Sequence, residues 1–156
     1  MNTARYMQEV LRLAEKGMKK GDGGPFGAVI VRDKEIIGRG WNRVLATNDP
    51  TAHAEITAIR DACSRTKDYW LEDAEIFVNC EPCPMCLAAI YWARIAKITY
   101  GASREDARAI GFDDALIYKE VCLPTDQRKI TISRHGREQA LKIMQQWQEF
   151  ADKQRY

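Results

Sequence analysis

A short apolar run, EIFVN (75–79), reads as a strand and leads straight into three evenly spaced cysteines, Cys80, Cys83 and Cys86. The last two open PMCLAAIYWAR (84–94), a helix with proline near its first position, where the missing N–H costs nothing. A strand ending against a helix start puts the thiols at the edge of a sheet. The rest of the chain must supply that sheet.

It does so by alternation. Residues 3–19 place Tyr6, Val10, Leu13, Ala14 and Met18 on one helical face, with Asn2 or Thr3 as cap. FGAVIVRD (26–33) and EIIGRGWN (35–42) read as a hairpin whose first strand is buried on both sides. A helix is expected from about 52 to 64 and a strand over AKITYGA (96–102). KITIS (129–133) reads as a last strand, and 136–153 as a closing helix with Ala140, Met144, Trp147 and Ala151 on one stripe. This order predicts one α/β domain over 1–156, three layers deep (α/β/α), around a mixed five-stranded sheet.

Composition excludes several function classes. With 46% hydrophobic and 29% charged residues the chain reads as an ordinary globular protein. A net charge of +2 makes no case for a nucleic-acid or membrane partner, although a local basic groove is compatible with a balanced total. Arg5, Glu9, Arg12, Glu15 and Lys16 interrupt any signal-peptide core, so a cytoplasmic protein is expected, with cysteines as thiols or metal ligands.

The cysteine spacing narrows the chemistry. An iron–sulfur run needs a fourth cysteine three residues after the third, and neither Ile90 nor Tyr91 supplies one. A structural zinc ribbon needs a second pair, whereas only the scattered Cys63 and Cys122 remain. On residues 83–86 alone a redox pair stays open, since a helix N-terminus lowers a thiol pKa. Upstream, however, TAHAE (51–55) holds one of only two histidines. If the helices starting near His53 and Cys83 lie side by side, His53, Cys83 and Cys86 converge as three zinc ligands and leave a fourth position open. Glu55 then stands beside that position without ligating, placed to move protons, while Cys80 is not expected to ligate. H-x-E followed by P-C-x-x-C is the pattern of zinc nucleobase deaminases.

From GGPFGAVIV through TAHAEITAIR to CEPCPMCLAAIYWAR, the chain resembles the cytidine-deaminase superfamily. GFDDALIYKE (111–120) and the terminal EFADKQRY resemble bacterial guanine deaminases most. The resemblance implies one zinc per subunit and a purine substrate, hydrolysed from guanine to xanthine and ammonia. It also implies a homodimer whose C-terminal segment, about residues 120–156, is exchanged between subunits, bringing Tyr156 to the partner's site. Asp114 is implied to share proton transfer with Glu55. A carboxylate there would accept from both guanine N1–H and the 2-amino group. Phe26, Asn42, the Ala54 amide and Trp92 are implied to line the base pocket. Competing readings are a tRNA adenosine deaminase, a deaminase of guanosine or cytosine, a non-catalytic zinc module and a redox protein. No role is assigned to His135.

Overall fold

Apolar residues recurring every three or four positions make the first element an amphipathic helix. The computed structural model describes residues 3–156, and helix α1 covers Thr3–Lys20. It buries Tyr6, Val10, Leu13, Ala14 and Gly17, while Met18 is exposed. The cap expected at Asn2 lies outside the described residues, and Thr3 already belongs to the helix.

Strands β1 (Gly27–Arg32) and β2 (Glu35–Trp41) form the expected hairpin. Its two turn residues, Asp33 and Lys34, both have positive φ (51° and 67°), the geometry that matches the twist of the flanking strands. Tyr6 donates its hydroxyl proton to the Lys34 carbonyl at 2.9 Å and ties α1 to this turn. A short helix α2 (Val44–Thr47) and the longer α3 (Ala54–Thr66) follow. Then come β3 (Glu75–Cys80), α4 (Pro84–Trp92), β4 (Lys97–Ala102) and α5 (Arg104–Ala109).

Among the described residues the sheet has four strands in the order β2-β1-β3-β4, not five. It is mixed: β1 is antiparallel to both neighbours, and β3 is parallel to β4. β1 is interior, which explains its unbroken apolar run. Its side chains alternate between two cores. Val29 and Val31, with Phe77 of β3, meet Tyr6, Val10 and Leu13 of α1. Ala28 and Ile30, with Ile76 and Val78, meet Ala54, Ala58 and Ala62 of α3 and Ile90 of α4. The sheet is therefore covered by α1 on one side and by α3 and α4 on the other.

The chain divides into two compact units, the second being Ala115–Tyr156. That unit holds helix α6 (Ala115–Val121), a 3-10 turn (Thr125–Gln127) and helix α7 (Arg137–Glu149). Residues 129–133 are not a strand. The alternation of KITIS suits one, but a strand needs a ladder partner, and the elements of this unit are helical. The Lys129 amide instead donates to the Glu120 side chain at 2.7 Å, while Ile130 and Ile132 are exposed. α7 stops at Glu149, short of Ala151.

Candidate active site

β2 and β3 both run antiparallel to β1, so they point the same way and end at the same edge of the sheet. The helices following them begin alike. His53 is the N-cap of α3 and Cys83 the N-cap of α4, both extended (φ −66°, ψ 161° and φ −68°, ψ 168°). A capping side chain normally turns back onto its own helix amides. Neither does so here; the two side chains meet each other instead. His53 Nδ1 lies 3.6 Å from Cys83 Sγ and 3.6 Å from Cys86 Sγ, all three donors falling within 4.8 Å of one another.

These distances fit zinc. With Zn–N near 2.0 Å and Zn–S near 2.3 Å, tetrahedral coordination separates nitrogen from sulfur by about 3.5 Å. The protonation pattern fits as well. The hydrogen bond from Cys86 holds the Cys83 thiol down to about 4, against the effect of burial, and His53 helps. The same bond, seen from the other side, pushes Cys86 up. The contact with Cys83 raises His53. Cys83 is thus a thiolate at neutral pH.

Glu55, the second residue of α3, is only 7% exposed. Burial raises its carboxyl above the usual range, while its own backbone amide, which donates to it, and the His53 charge act in the opposite sense. It touches Cys86 yet is not one of the three clustered donors. Cys80 also stands outside that trio: its thiol donates to the Ser103 carbonyl at 3.6 Å. Burial first, then the charges of Glu55, Glu81, Asp114 and Asp106, push it up to about 11.

The expected pocket residues fall in different places. Asn42 is buried; its backbone N–H donates to the Phe26 carbonyl at 3.0 Å, and its Oδ1 accepts from the Val44 amide at 3.1 Å. A Cβ on Gly23 would lie 2.0 Å from that oxygen, so only glycine lets the GDGG turn back against Asn42. The Phe26 ring is half-buried and meets Phe112 edge-on, with centroids 4.8 Å apart. Ala54 is buried between His53 and Glu55, and its amide belongs to the first turn of α3, where N–H groups have no intrahelical acceptor. Asp114 accepts from Arg104 Nε at 3.1 Å, and the Arg104 amide donates to Glu81 at 3.2 Å. Trp92 ends α4 two turns from Cys86 and is 64% exposed. Tyr156 is an exposed residue of the second unit.

No spacing in the sequence marks Arg104 or Phe112 as neighbours of the site. Ten positions separate Arg104 from Asp114, and nothing in REDARA distinguishes this arginine from its neighbour Arg108.

A histidine and two cysteines at the starts of paired helices, with a buried carboxyl beside them, define the zinc nucleobase deaminases as a class. The chain belongs to this family: the cytidine and deoxycytidylate deaminase zinc-binding region matches residues 1–102. Over all 156 residues it is 47% identical to the guanine deaminase of Bacillus subtilis (strain 168), covering 100% of both chains. An X-ray structure of guanine deaminase from Bacillus subtilis superposes with a TM-score of 0.96 over 100% of this chain and 99% of that one. A tRNA-specific adenosine deaminase of Haemophilus influenzae is 42% identical over 116 residues, covering 70% of this chain and 66% of that protein.

Proposed function

We propose that this protein hydrolyses guanine to xanthine and ammonia, with His53, Cys83 and Cys86 holding one zinc ion. The observation that carries the substrate choice is the 47% identity to a guanine deaminase along the entire chain, residues 111–156 included. The likeness to the Haemophilus tRNA enzyme covers 70% of the chain.

Zinc, when bound by the trio, supplies a Lewis acid that lowers the pKa of a water. Glu55 takes a proton from the attacking water and delivers it to guanine N3 as oxygen joins C2. It then carries the remaining hydroxyl proton to the amine; the C2–N bond breaks, ammonia leaves and xanthine remains. Its burial supports this role, because desolvation raises the carboxyl above its usual range and makes it a better proton acceptor than an exposed glutamate. Asn42 and the Ala54 amide hold the purine edge, and Phe26 offers a ring face. Asp114, oriented by Arg104, accepts from N1–H and the 2-amino group and shares the final proton transfer. Trp92 reaches the base only from an exposed position, so its part rests on the resemblance.

The second unit enters as an exchanged segment of a homodimer, with Tyr156 closing the site of a second copy. What supports this is the exposed apolar face of α7, including Leu141, Met144 and Trp147. Five free cysteines accord with a cytoplasmic location. Among the described residues no helix is long and apolar enough to cross a membrane.

The deciding experiment is ammonia release by the zinc-loaded protein from guanine, guanosine, adenosine, cytosine and a tRNA anticodon stem-loop. Rapid release from guanine alone supports the reading. Release only from the stem-loop would overturn the substrate while leaving the metal centre standing.

A further inference from the structure

The sheet face covered by α1 carries an open surface cavity of about 350 Å³, lined by Arg5, Gln8, Glu9, Arg12, Ile36 and Arg39. The zinc ligands lie at the starts of α3 and α4, which cover the opposite face, so this cavity is no subsite of the active centre. Its four α1 residues stand three, four and seven positions after the first, forming one stripe of the helix, and Arg39 comes across from β2.

The charges in this cavity are braced. Glu9 accepts from Arg12 Nε and Nη2 at 2.7 and 2.8 Å, and from Arg39 Nε at 3.0 Å. Its carboxyl is held down to about 2, chiefly by the Arg12 bond, so it stays ionised and keeps two mutually repelling guanidinium groups together. Among the described residues Arg5 has no acidic partner in an ion pair. Three guanidinium groups against one carboxylate leave two positive charges, as much as the whole chain carries in sum. The Arg12 fork and Arg39 Nε are engaged with Glu9, so the Arg5 fork is the one offered to paired phosphate oxygens, with the other two guanidinium groups adding positive charge that a phosphate dianion neutralises.

We propose that this cavity binds the phosphate group of a small phosphate monoester, on the face of the sheet opposite the catalytic helices. A single carboxylate would leave one charge uncompensated. The volume admits a phosphate with an attached sugar, at the small end of ligand sites. The inference is independent of which base the active site deaminates.

Titration calorimetry of the full-length, zinc-loaded protein at low ionic strength tests this, with ribose 5-phosphate, inorganic phosphate and ribose as probes. Ribose 5-phosphate is expected to bind saturably, and more tightly at pH 7.5 than at pH 5.5, because the second phosphate proton leaves near pH 6. Arg5→Gln, on an exposed helical surface, should weaken binding roughly tenfold while guanine deamination without ligand stays unchanged. Arg39→Lys, which keeps charge but not the fork, should also bind more weakly. Equal affinity for inorganic phosphate would still support the site and assign it to the free anion. Absence of saturable binding, indifference to Arg5→Gln, or equal binding of ribose would overturn the proposal. Capture of an RNA stem-loop without binding of ribose 5-phosphate would overturn it in favour of a nucleic-acid surface.

Discussion

Glu55 and Cys83 make different demands on the same few cubic ångströms, and their substitutions separate them. Glu55→Gln keeps the shape and removes the proposed proton carrier. It should retain zinc by elemental analysis while kcat for guanine falls about 10²- to 10⁴-fold. Cys83→Ala removes a donor, and the purified protein should contain little zinc. A Glu55→Gln protein with near-normal turnover would sink the mechanism. The protonation pattern makes a third expectation. Cys83 has already lost its proton above about pH 4, whereas Cys86 and His53 are both raised. Zinc binding near pH 6.5 should therefore release protons from Cys86 and His53, and affinity should fall as pH falls and protons compete. Calorimetry in buffers of different ionisation heat measures the count; release of no protons would contradict the pattern. At this scale the ligands were legible early, because H-x-E and C-x-x-C are spacings along single helices. Arg104 was not, since its partner is set by how β4 and α5 return toward Asp114.

At the scale of elements, the site depends on how closely α3 approaches the sheet. A Cβ added to Gly40 would meet the Ala54 carbonyl at 2.3 Å, the Thr57 hydroxyl at 2.3 Å and the Ala58 amide at 2.4 Å. Two of these atoms are backbone, so relief requires α3 to move, and α3 carries Glu55, with His53 capping it. Gly40→Ala should cost roughly 1–3 kcal/mol in urea unfolding and lower turnover together with stability. Unchanged stability would mean that the helix is less closely seated than these distances require. Element types were readable wherever a face repeats: α1 from its stripe, β1 from its continuous apolar run, α4 from proline at its first position. KITIS alternates like a strand without forming one, because period-two alternation marks a strand only when a neighbouring edge is free to pair with it.

At the scale of the molecule, the exposed stripe of α7 bears on assembly. Met144 is 62% and Trp147 44% exposed, a poor arrangement for an isolated 17.8 kDa chain. Light scattering should give twice that mass, and Trp147→Glu should shift the protein toward monomer; a wild-type monomer would remove the case for an exchanged C-terminus. Deleting Tyr156 should then raise KM for guanine more than it lowers zinc content. The donor cluster, the role proposed for Glu55 and most element types could be read along the chain, because these follow from residue chemistry and from periodicities within one helix or strand. That His53 meets cysteines thirty and more positions away comes from folding alone, since it depends on β2 and β3 flanking β1 and ending at one edge. Folding likewise sets the four strands of the sheet among the described residues and brings three arginines from α1 and β2 to one cavity. Strand order and helix seating are settled by packing across the whole chain, and no local spacing encodes them.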